Sequence, residues 1–312
     1  VQYYKGKFIT SDNRIATSID VNKLDNKFLY YVLINKLDLI SSFYRGAGIK
    51  HPDMSKVLDI IIPLPPIEVQ KEIVRILDIF TEYQDLLNRE LILRKKQYEY
   101  YRDKLLTFGD DVEWKYLGEI LQPKGYIRGP FGSALKKDFF VKDGVPIYEQ
   151  QHAIYNKRVF RYFVDYEKAN KLKRFTVKPY DIIISCSGTI GKISIIMPQD
   201  PIGVINQALL ILRLDLSKVN VKYIKYYFEC FSNLIVTSSG GAITNIEKRE
   251  IIEKIKIPVP PLKEQEQIVK ILDSFDTLCN DITRGLPAEI DMRKKQYEYY
   301  RDKLLTFKEK KK

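Results

Sequence analysis

Two histidines, three cysteines and scattered acidic side chains are what this 312-residue chain offers for chemistry. His51 and His152 lie far apart in the sequence, and a lone histidine is more often structural or superficial than a general base. Cys186, Cys230 and Cys279 are widely spaced and odd in number. That argues against a disulfide framework or a zinc knuckle and fits a reducing cytosol. The string Ser187-Gly-Thr-Ile-Gly191-Lys192 has a phosphate-loop flavour. The Walker pattern, however, needs four residues between its glycines and Ser or Thr after the lysine. Here two intervene and Ile193 follows, so no such loop is assigned. Asp181, Glu247 and Lys248 could be drawn together as a nuclease set, but among 40 acidic residues such a set arises by chance. No catalytic residue, metal or cofactor is assigned to this chain.

A binding surface is easier to assemble than an active site. The chain holds 52 Lys+Arg against 40 Asp+Glu, a net charge of +12. Excess positive charge is a statement about partners, and it favours nucleic acid over an acidic protein or a membrane surface. Residues 112–261 carry most of that excess. Polar groups suited to base edges and phosphates cluster there in expected loops: Lys124, Tyr126, Arg128, Ser133, Lys136 and Lys137; Gln150, Gln151 and His152; Ser187, Thr189 and Lys192; Ser238, Ser239, Thr244 and Asn245. Gln and Asn can bond adenine bidentately, Arg can do so with guanine, and Lys neutralises phosphate. The competing reading is a solvated basic face with Gly-rich turns. No run of 18 apolar residues suggests a membrane span, and a cytoplasmic location is expected.

The elements that must position these groups come from a repeat. Arg94–Phe108 reads RKKQYEYYRDKLLTF, and Arg293–Phe307 repeats it letter for letter. Each copy ends a longer matching block, one opening at Pro63 and the other at Pro258. A period this long points to two copies of one domain-plus-helix module, not a solenoid. Lys27–Leu37 has apolar residues at helical spacing and matches residues from Lys222 onward. Val57–Ile62 reads as a strand. After Pro65-Pro66, apolar residues at Ile73, Ile76, Phe80, Tyr83, Leu87, Leu91, Tyr98, Tyr101, Leu105 and Phe108 mark one face of a long helix. Forty helical residues span roughly 60 Å, so the stripe needs another helix to cover it. In the second module, Val145–Tyr148, Asp181–Ser185, Lys192–Met197 and Gln207–Leu214 read as strands, and Tyr223–Phe231 as a helix. Ile251–Pro258 repeats the terminal strand. Arg284-Gly285-Leu286-Pro287 then breaks the second long helix into about 262–284 and 288–308. The identical helix ends would present equivalent surfaces through Arg94/Arg293, Tyr98/Tyr297, Tyr101/Tyr300 and Arg102/Arg301. Two equivalent surfaces suggest two copies of one partner.

Several motifs now stand in order. They are Gly129-Pro-Phe-Gly-Ser133 with Lys136-Lys137-Asp138, Tyr180-Asp181-Ile-Ile-Ile184, Ser187-Gly-Thr-Ile-Gly-Lys192 and Pro260-Pro-Leu-Lys-Glu-Gln265. Gly285-Leu-Pro-Ala-Glu289 and the repeated Gln-Tyr-Glu-Tyr-Tyr-Arg-Asp-Lys-Leu-Leu complete the set. Together they resemble the specificity (S) subunits of bacterial type I DNA restriction–modification enzymes. The resemblance implies an α+β fold of globular target-recognition domains plus two long antiparallel helices forming a coiled-coil-like spacer. It implies that each recognition domain reads one half of a split double-stranded DNA target. Two methyltransferase (M) subunits would dock on the helices, and motor-nuclease restriction (R) subunits would join the full complex. AdoMet, ATP and Mg would belong to those partners and not to this chain.

On this reading residues 1–64 are a partial first target-recognition domain and 65–108 the first long helix. Residues 109–111 are a linker, 112–259 the second target-recognition domain, and 260–312 the second helix, broken near 285–287, with a basic tail. Nothing in the first module corresponds to residues 112–195, so its recognition domain is expected to be shortened at the N terminus by roughly 80 residues. The rivals are a standalone DNA-cleaving enzyme and a non-catalytic coiled-coil scaffold.

Overall fold

The computed structural model describes residues 1–9, 15–45, 51–237, 245–246 and 248–308. Asp25 opens α1 (Asn26–Asn35), its carboxylate accepting the Lys27 and Phe28 amides, a side-chain cap for otherwise orphaned donors. α2 (Leu37–Ser42), β1 (Tyr44–Arg45), β2 (His51–Pro52) and α3 (Met54–Leu58) follow, and then α4 (Ile67–Leu106), a single helix of 40 residues. The middle of the chain runs β3 (Trp114–Tyr116), α5 (Leu117–Ile120), β4 (Leu121–Arg128), β5 (Phe140–Val141), β6 (Val145–Tyr148), α6 (Gln150–Ile154), β7 (Phe163–Val164) and α7 (Tyr166–Lys171). It continues with β8 (Ile182–Ser185), β9 (Ile193–Ile195), β10 (Val204–Ile205), β11 (Leu209–Leu214), α8 (Val221–Cys230), β12 (Val236–Thr237) and β13 (Asn245–Ile246). α9 (Arg249–Ile252), β14 (Lys256–Pro258), α10 (Leu262–Asn280) and α11 (Leu286–Leu305) complete it. Pro287 stands in the first turn of α11, where its missing N–H costs nothing.

The chain forms two compact units, Val1–Lys96 with Asp276–Lys312, and Gln97–Phe275. This grouping cuts across the modular division expected from sequence. In the second unit, β4-β11-β8-β9 form one antiparallel sheet and β10-β6-β7-β5 a second, with β10 parallel to β6. Alternate strand residues point to opposite faces. Ile182, Ile184, Leu210 and Leu212 therefore enter one core with Tyr223, Phe228 and Leu272. Ile183, Leu209, Ile211 and Ile127 enter another with Tyr148 and Ile196. Burial on both faces explains why β8 and β11 read as nearly continuous apolar runs. Between the sheets' strands, Asp181 is a structural anion and no nuclease ligand. Its carboxylate accepts Arg213 Nε at 2.8 Å, Arg213 Nη2 at 2.7 Å and the Lys178 amide at 2.7 Å. Glu247, the other acidic member of that set, lies outside the described residues.

The repeat is reproduced bond for bond in the two units. In the first, fully buried Gln70 accepts the Asp25 amide at 2.9 Å and donates to the Pro65 and Lys23 carbonyls at 2.7 Å each. In the second, Gln265 accepts the Asn220 amide at 2.8 Å and donates to the Pro260 and Lys218 carbonyls at 2.7 and 3.3 Å. Asp78 takes the Tyr31 hydroxyl and Lys27 ammonium, as Asp273 takes those of Tyr226 and Lys222. Each unit also receives one of the identical helix ends. Leu304, Leu305 and Tyr297 join the core of Phe28, Tyr31, Ile73 and Leu77. Tyr98, Leu105, Leu106 and Phe108 join the core around Tyr223. The helix starting in each unit thus meets a repeated end running antiparallel to it.

Three expectations are corrected here. Val57–Ile62 is not a strand: Val57 and Leu58 close α3, and residues 59–66 are neither helix nor strand. The matching second-module segment is a strand only over β14, because β3 pairs with it; among the described residues no strand pairs with Ile60–Leu64. The expected strand at Ile251–Pro258 opens instead inside α9. On α4 the covered seam steps through 73, 77, 80, 84, 87, 91, 94 and 98, a heptad spacing. Leu77, fully buried, replaces Ile76, while Tyr83 is exposed. Polar Gln84 sits in the seam by donating to the Arg293 carbonyl at 3.2 Å.

Candidate nucleic-acid interface

At one end of the β4-β11-β8-β9 sheet the strand termini meet. Arg128 closes β4 opposite Leu210, Ser185 closes β8 opposite Leu209, and Ile193 opens β9 opposite Ile184. The loop 186–192 therefore projects from the same sheet end as Arg128. Buried Ser185 fixes the loop's shape: its hydroxyl donates to the Thr189 carbonyl at 2.6 Å and accepts the Lys192 amide at 2.9 Å. Gly188 and Gly191 both hold φ in the left-handed region, +60° and +76°, where a Cβ is strained. A side chain at Gly188 would press on the Gln150 amide, and one at Gly191 on Val236 of β12. Those close approaches bring the start of α6, the 186–192 loop and β12, which pairs with β13, together.

Arg128 is the unusual member. Its guanidinium lies 5.9 Å from the Phe131 ring, and its Nη1 is buried without a hydrogen-bond partner. An orphaned buried donor costs about 1–3 kcal/mol. Burial pushes the nearby Cys186 thiol up to about 12, with Arg128 acting against it. That thiol is neutral and offers little as an acceptor.

Two expected contact residues belong to the interior. Tyr126 is 8% exposed, pairs with Leu212 in the sheet and packs in the main core. Alternation along β4 turns it inward, and burial raises its hydroxyl above the usual range. His152 is fully buried, stacked on Phe160 at 4.6 Å. Its Nδ1 accepts the Glu149 amide at 2.8 Å while Nε2–H donates to the Val159 carbonyl at 3.0 Å, an arrangement for one neutral tautomer. Glu149, missed in the sequence, takes a bidentate pair from Arg161 at 2.8 and 2.9 Å and a 3.2 Å bond from Gln151. His152 and Glu149 thus set the entry to α6 on which Gln150 rides. The signal for them was Glu149 three residues before His152, a capping pair.

Burial holds His152 below its ordinary value. A depressed folded-state value means the neutral ring's contribution is present above about pH 6.5 and is lost as pH falls through the folded-state value. Thermal melts from pH 7.5 down to 5.5 are expected to show declining stability, and His152→Gln is expected to flatten that slope. Parallel slopes for the two proteins would contradict the assignment.

Of the remaining expected residues, Lys124, Lys136, Lys137, Ser187, Thr189 and Lys192 are exposed, and Gln150 and Gln151 are half-buried. Lys136 and Lys137 flank Leu135, which belongs to the smaller core around Ile147 and Val164, so they stand on the other sheet's side. Ser133 lies in a 3-10 turn over Gly132–Leu135 and Asn245 opens β13. Ser238, Ser239 and Thr244 lie outside the described residues.

The repeated helix ends divide between packing and exposure. Tyr98 and Tyr297 pack against the cores of their units. Tyr101 stacks on Phe275 at 5.8 Å and Tyr300 on Phe80 at 5.4 Å, both at 23°. Arg102 and Arg301 pair with Asp103 and Asp302 and lie over the Tyr98 and Tyr297 rings. Arg94 and Arg293 pair with Glu90 and Glu289. Part of the identity between the copies is thus used in packing within each unit. Tyr100 and Tyr299, 62% and 61% exposed, are the most outward tyrosines of the repeat, and Tyr101 and Tyr300 keep 38% and 37% of their surface exposed.

The chain combines a mixed α/β unit, a Gly-shaped loop cluster at one sheet end and a duplicated long helix. Residues 1–94 and 111–292 match the family described as type I restriction modification DNA specificity domain, and the chain belongs to it. It is 36% identical over 325 residues to the EcoR124I/EcoR124II type I restriction enzyme specificity subunit of Escherichia coli, covering 96% of this chain and 75% of that one. Its fold is similar to the HsdS subunit from Thermoanaerobacter tengcongensis, with TM-score 0.59 and 18% identity over 91% of this chain and 70% of that one. It is also similar to the type I restriction–modification S subunit from M. genitalium, with TM-score 0.53 and 18% identity over 93% and 75% of the two chains. The chain is thus a DNA-recognition subunit that assembles with modification and restriction subunits, and is not itself their catalyst. No helix among the described residues is long and apolar enough to cross a membrane.

Proposed function

We propose that DNA is read at the sheet end where Arg128, Gln150 and the Ser187–Lys192 loop converge, within a target-recognition domain spanning 112–259. The observation that carries this is the unpartnered, buried Arg128 Nη1 in a cluster otherwise built for close backbone approach. A guanine edge or a phosphate supplies the acceptor it lacks. Gln150, Gln151, Ser187 and Thr189 offer further donors and acceptors, with Ser133, Ser238, Ser239, Thr244 and Asn245 from adjoining sequence. Lys124, Lys136, Lys137 and Lys192 serve phosphate. Tyr126 and His152 act from beneath the surface by holding β4 and α6 in place.

Each good bidentate contact contributes about 1–3 kcal/mol of discrimination. Gln150→Ala is therefore expected to relax one position of the methylated target, read by mapping modified sites in cells carrying the cognate methyltransferase. Lys136→Ala is expected to weaken binding to all sequences alike and to make the salt dependence shallower, because one phosphate contact fewer releases fewer counterions. A target unchanged at every position in Gln150→Ala, with Arg128→Ala equally silent, would place base reading elsewhere.

We further propose that two methyltransferase subunits dock on the long helices, one beside each repeated end, with AdoMet, ATP and Mg held by the partner subunits. Exposed Tyr100, Tyr101, Tyr299 and Tyr300 are the anchors, with Arg94 and Arg293 earlier on the same helices; Tyr98, Arg102, Tyr297 and Arg301 support the helices that present them. Tyrosine and arginine commonly carry interface energy. Tyr100→Ala is expected to reduce the assembly, measured by mass in solution, from two methyltransferases to one. Unchanged stoichiometry in the Tyr100→Ala, Tyr299→Ala double variant would move the docking surface off these residues.

A further inference from the structure

Phe131 is the most exposed phenylalanine among the described residues, at 68%. A single apolar side chain on a surface is ordinary in itself. What sets Phe131 apart is how it is held. Gly129 and Pro130, the two residues before it, are buried. The Gly129 amide donates to the Leu209 carbonyl at 2.9 Å. A Cβ at Gly129 would collide with the Asn206 carbonyl, so the chain here lies directly on the turn that leads into β11. That turn is fastened on its other side as well, where the Cys186 amide donates to the Ala208 carbonyl at 2.7 Å. Pro130 fixes the next φ, and the Phe131 carbonyl accepts the Ala134 amide at 3.4 Å as the following 3-10 turn begins. The ring therefore projects from a backbone with little freedom, at the sheet end where Arg128 and the 186–192 loop meet.

Its surroundings say what could receive it. The Arg128 guanidinium lies 5.9 Å from the ring, and among the described residues no carboxylate pairs with that arginine. Exposed Lys192 stands on the loop at the same sheet end, and exposed Lys136 and Lys137 follow Phe131 in the chain. An apolar protein surface would leave these cations without counter-charges. A nucleic-acid duplex offers both things at once: a flat apolar slot between stacked base pairs, and phosphates on either side of it.

We propose that Phe131 is a wedge: its ring enters between adjacent base pairs of the bound duplex, unstacks that step and bends the DNA. The proposal rests on the reading of DNA at this sheet end and adds a second way of discriminating there. Arg128 and Gln150 would read base edges by hydrogen bonds. Phe131 would read how easily a step opens, which depends on sequence because pyrimidine–purine steps unstack more readily than others. The target would then show a preference at a step that no polar side chain touches. The rigid Gly129–Pro130 approach suits this role, since a wedge on a yielding loop would retreat from the stack before opening it.

The test uses the full chain assembled with its cognate methyltransferase, on a duplex that carries the target found by mapping modified sites. Dyes at the two DNA ends report the bend by energy transfer, and titration reports the affinity. The parent is expected to bend the duplex by about 20° or more. Phe131→Ala is expected to lose that bend and to bind about tenfold more weakly or worse. Phe131→Leu, still an apolar wedge, is expected to keep the bend, which a general loss of folding in Phe131 variants would not allow. A Phe131→Ala complex that bends and binds like the parent would overturn the proposal. So would equal loss of affinity in the Ala and Leu variants with the bend unchanged, which would assign the ring to stacking on one base instead. The DNA reading itself is judged separately. If Arg128→Ala or Gln150→Ala alters the methylated target while Phe131→Ala leaves affinity and bend untouched, only the wedge falls; if all three are silent, the reading falls and the wedge with it.

Discussion

Asp181→Asn is expected to cost about 3–5 kcal/mol, the range found when one partner of a buried ion pair is removed. Asp181 is 1% exposed and the Arg213 side chain 15%. The substitution keeps the shape but removes the counter-charge and turns one accepting oxygen into an NH2 donor facing Arg213 or the Lys178 amide, so the guanidinium keeps only the Asn oxygen and the Thr176 carbonyl as acceptors. Against a total stability of about 5–15 kcal/mol that loss is large. Urea unfolding at constant m-value reads it directly. Replacing both partners, Asp181→Asn with Arg213→Met, is expected to recover part of the loss because no unpaired charge stays buried. If Asp181→Asn shifts stability by less than about 1 kcal/mol, the pair is solvated in solution and the argument fails.

The second large effect belongs to the paired glutamines. Gln70→Ala leaves the Asp25 amide and the Lys23 and Pro65 carbonyls without their partner, and each buried group so orphaned costs about 1–3 kcal/mol. A total loss of about 3 kcal/mol or more is expected. Gln265→Ala does the same in the other unit, slightly less severely because its bond to the Lys218 carbonyl is longer, 3.3 against 2.7 Å. The chain thus contains its own control. Hydrogen exchange resolved by unit is expected to show each variant loosening the unit that holds it and sparing the other. Variants that melt like the parent would show that water replaces the amide without penalty.

The most legible parts of the fold were those whose chemistry is local. β6 falls where the alternating VPIY run placed it, and β8, β9 and β11 fall within the stretches read as strands. The ends of α4 and the break before α11 follow from the Pro-Pro step and from Gly285-Leu-Pro. Val57–Ile62 misled because strand character is a property of a pair, and composition says nothing about whether a neighbour is present. Ile76 was chosen over Leu77 because the seam admits Gln84 and Arg94, polar positions that an apolar stripe steps around. At the binding surface, loop residues of polar type were recoverable. Tyr126 and His152 were not, since a phenol or an imidazole is compatible with either side of a strand or helix until packing decides. Ser185 and Glu149 escaped notice because they act on backbone amides, for which a sequence carries only faint signals.

The first unit is assembled from the two far ends of the sequence: residues up to Lys96 and those from Asp276 onward. Leu304, Leu305 and Tyr297, which complete the core around Phe28 and Tyr31, leave the ribosome after everything else in that core. The second unit is continuous and can close while synthesis proceeds, as domains made in one stretch generally do. Production of this protein is therefore out of step with its numbering. The core of Phe28, Tyr31 and Leu77 stays incomplete until Tyr297, Leu304 and Leu305 have been synthesised, after the whole of the second unit. Over that interval this apolar surface is open to proteases and chaperones.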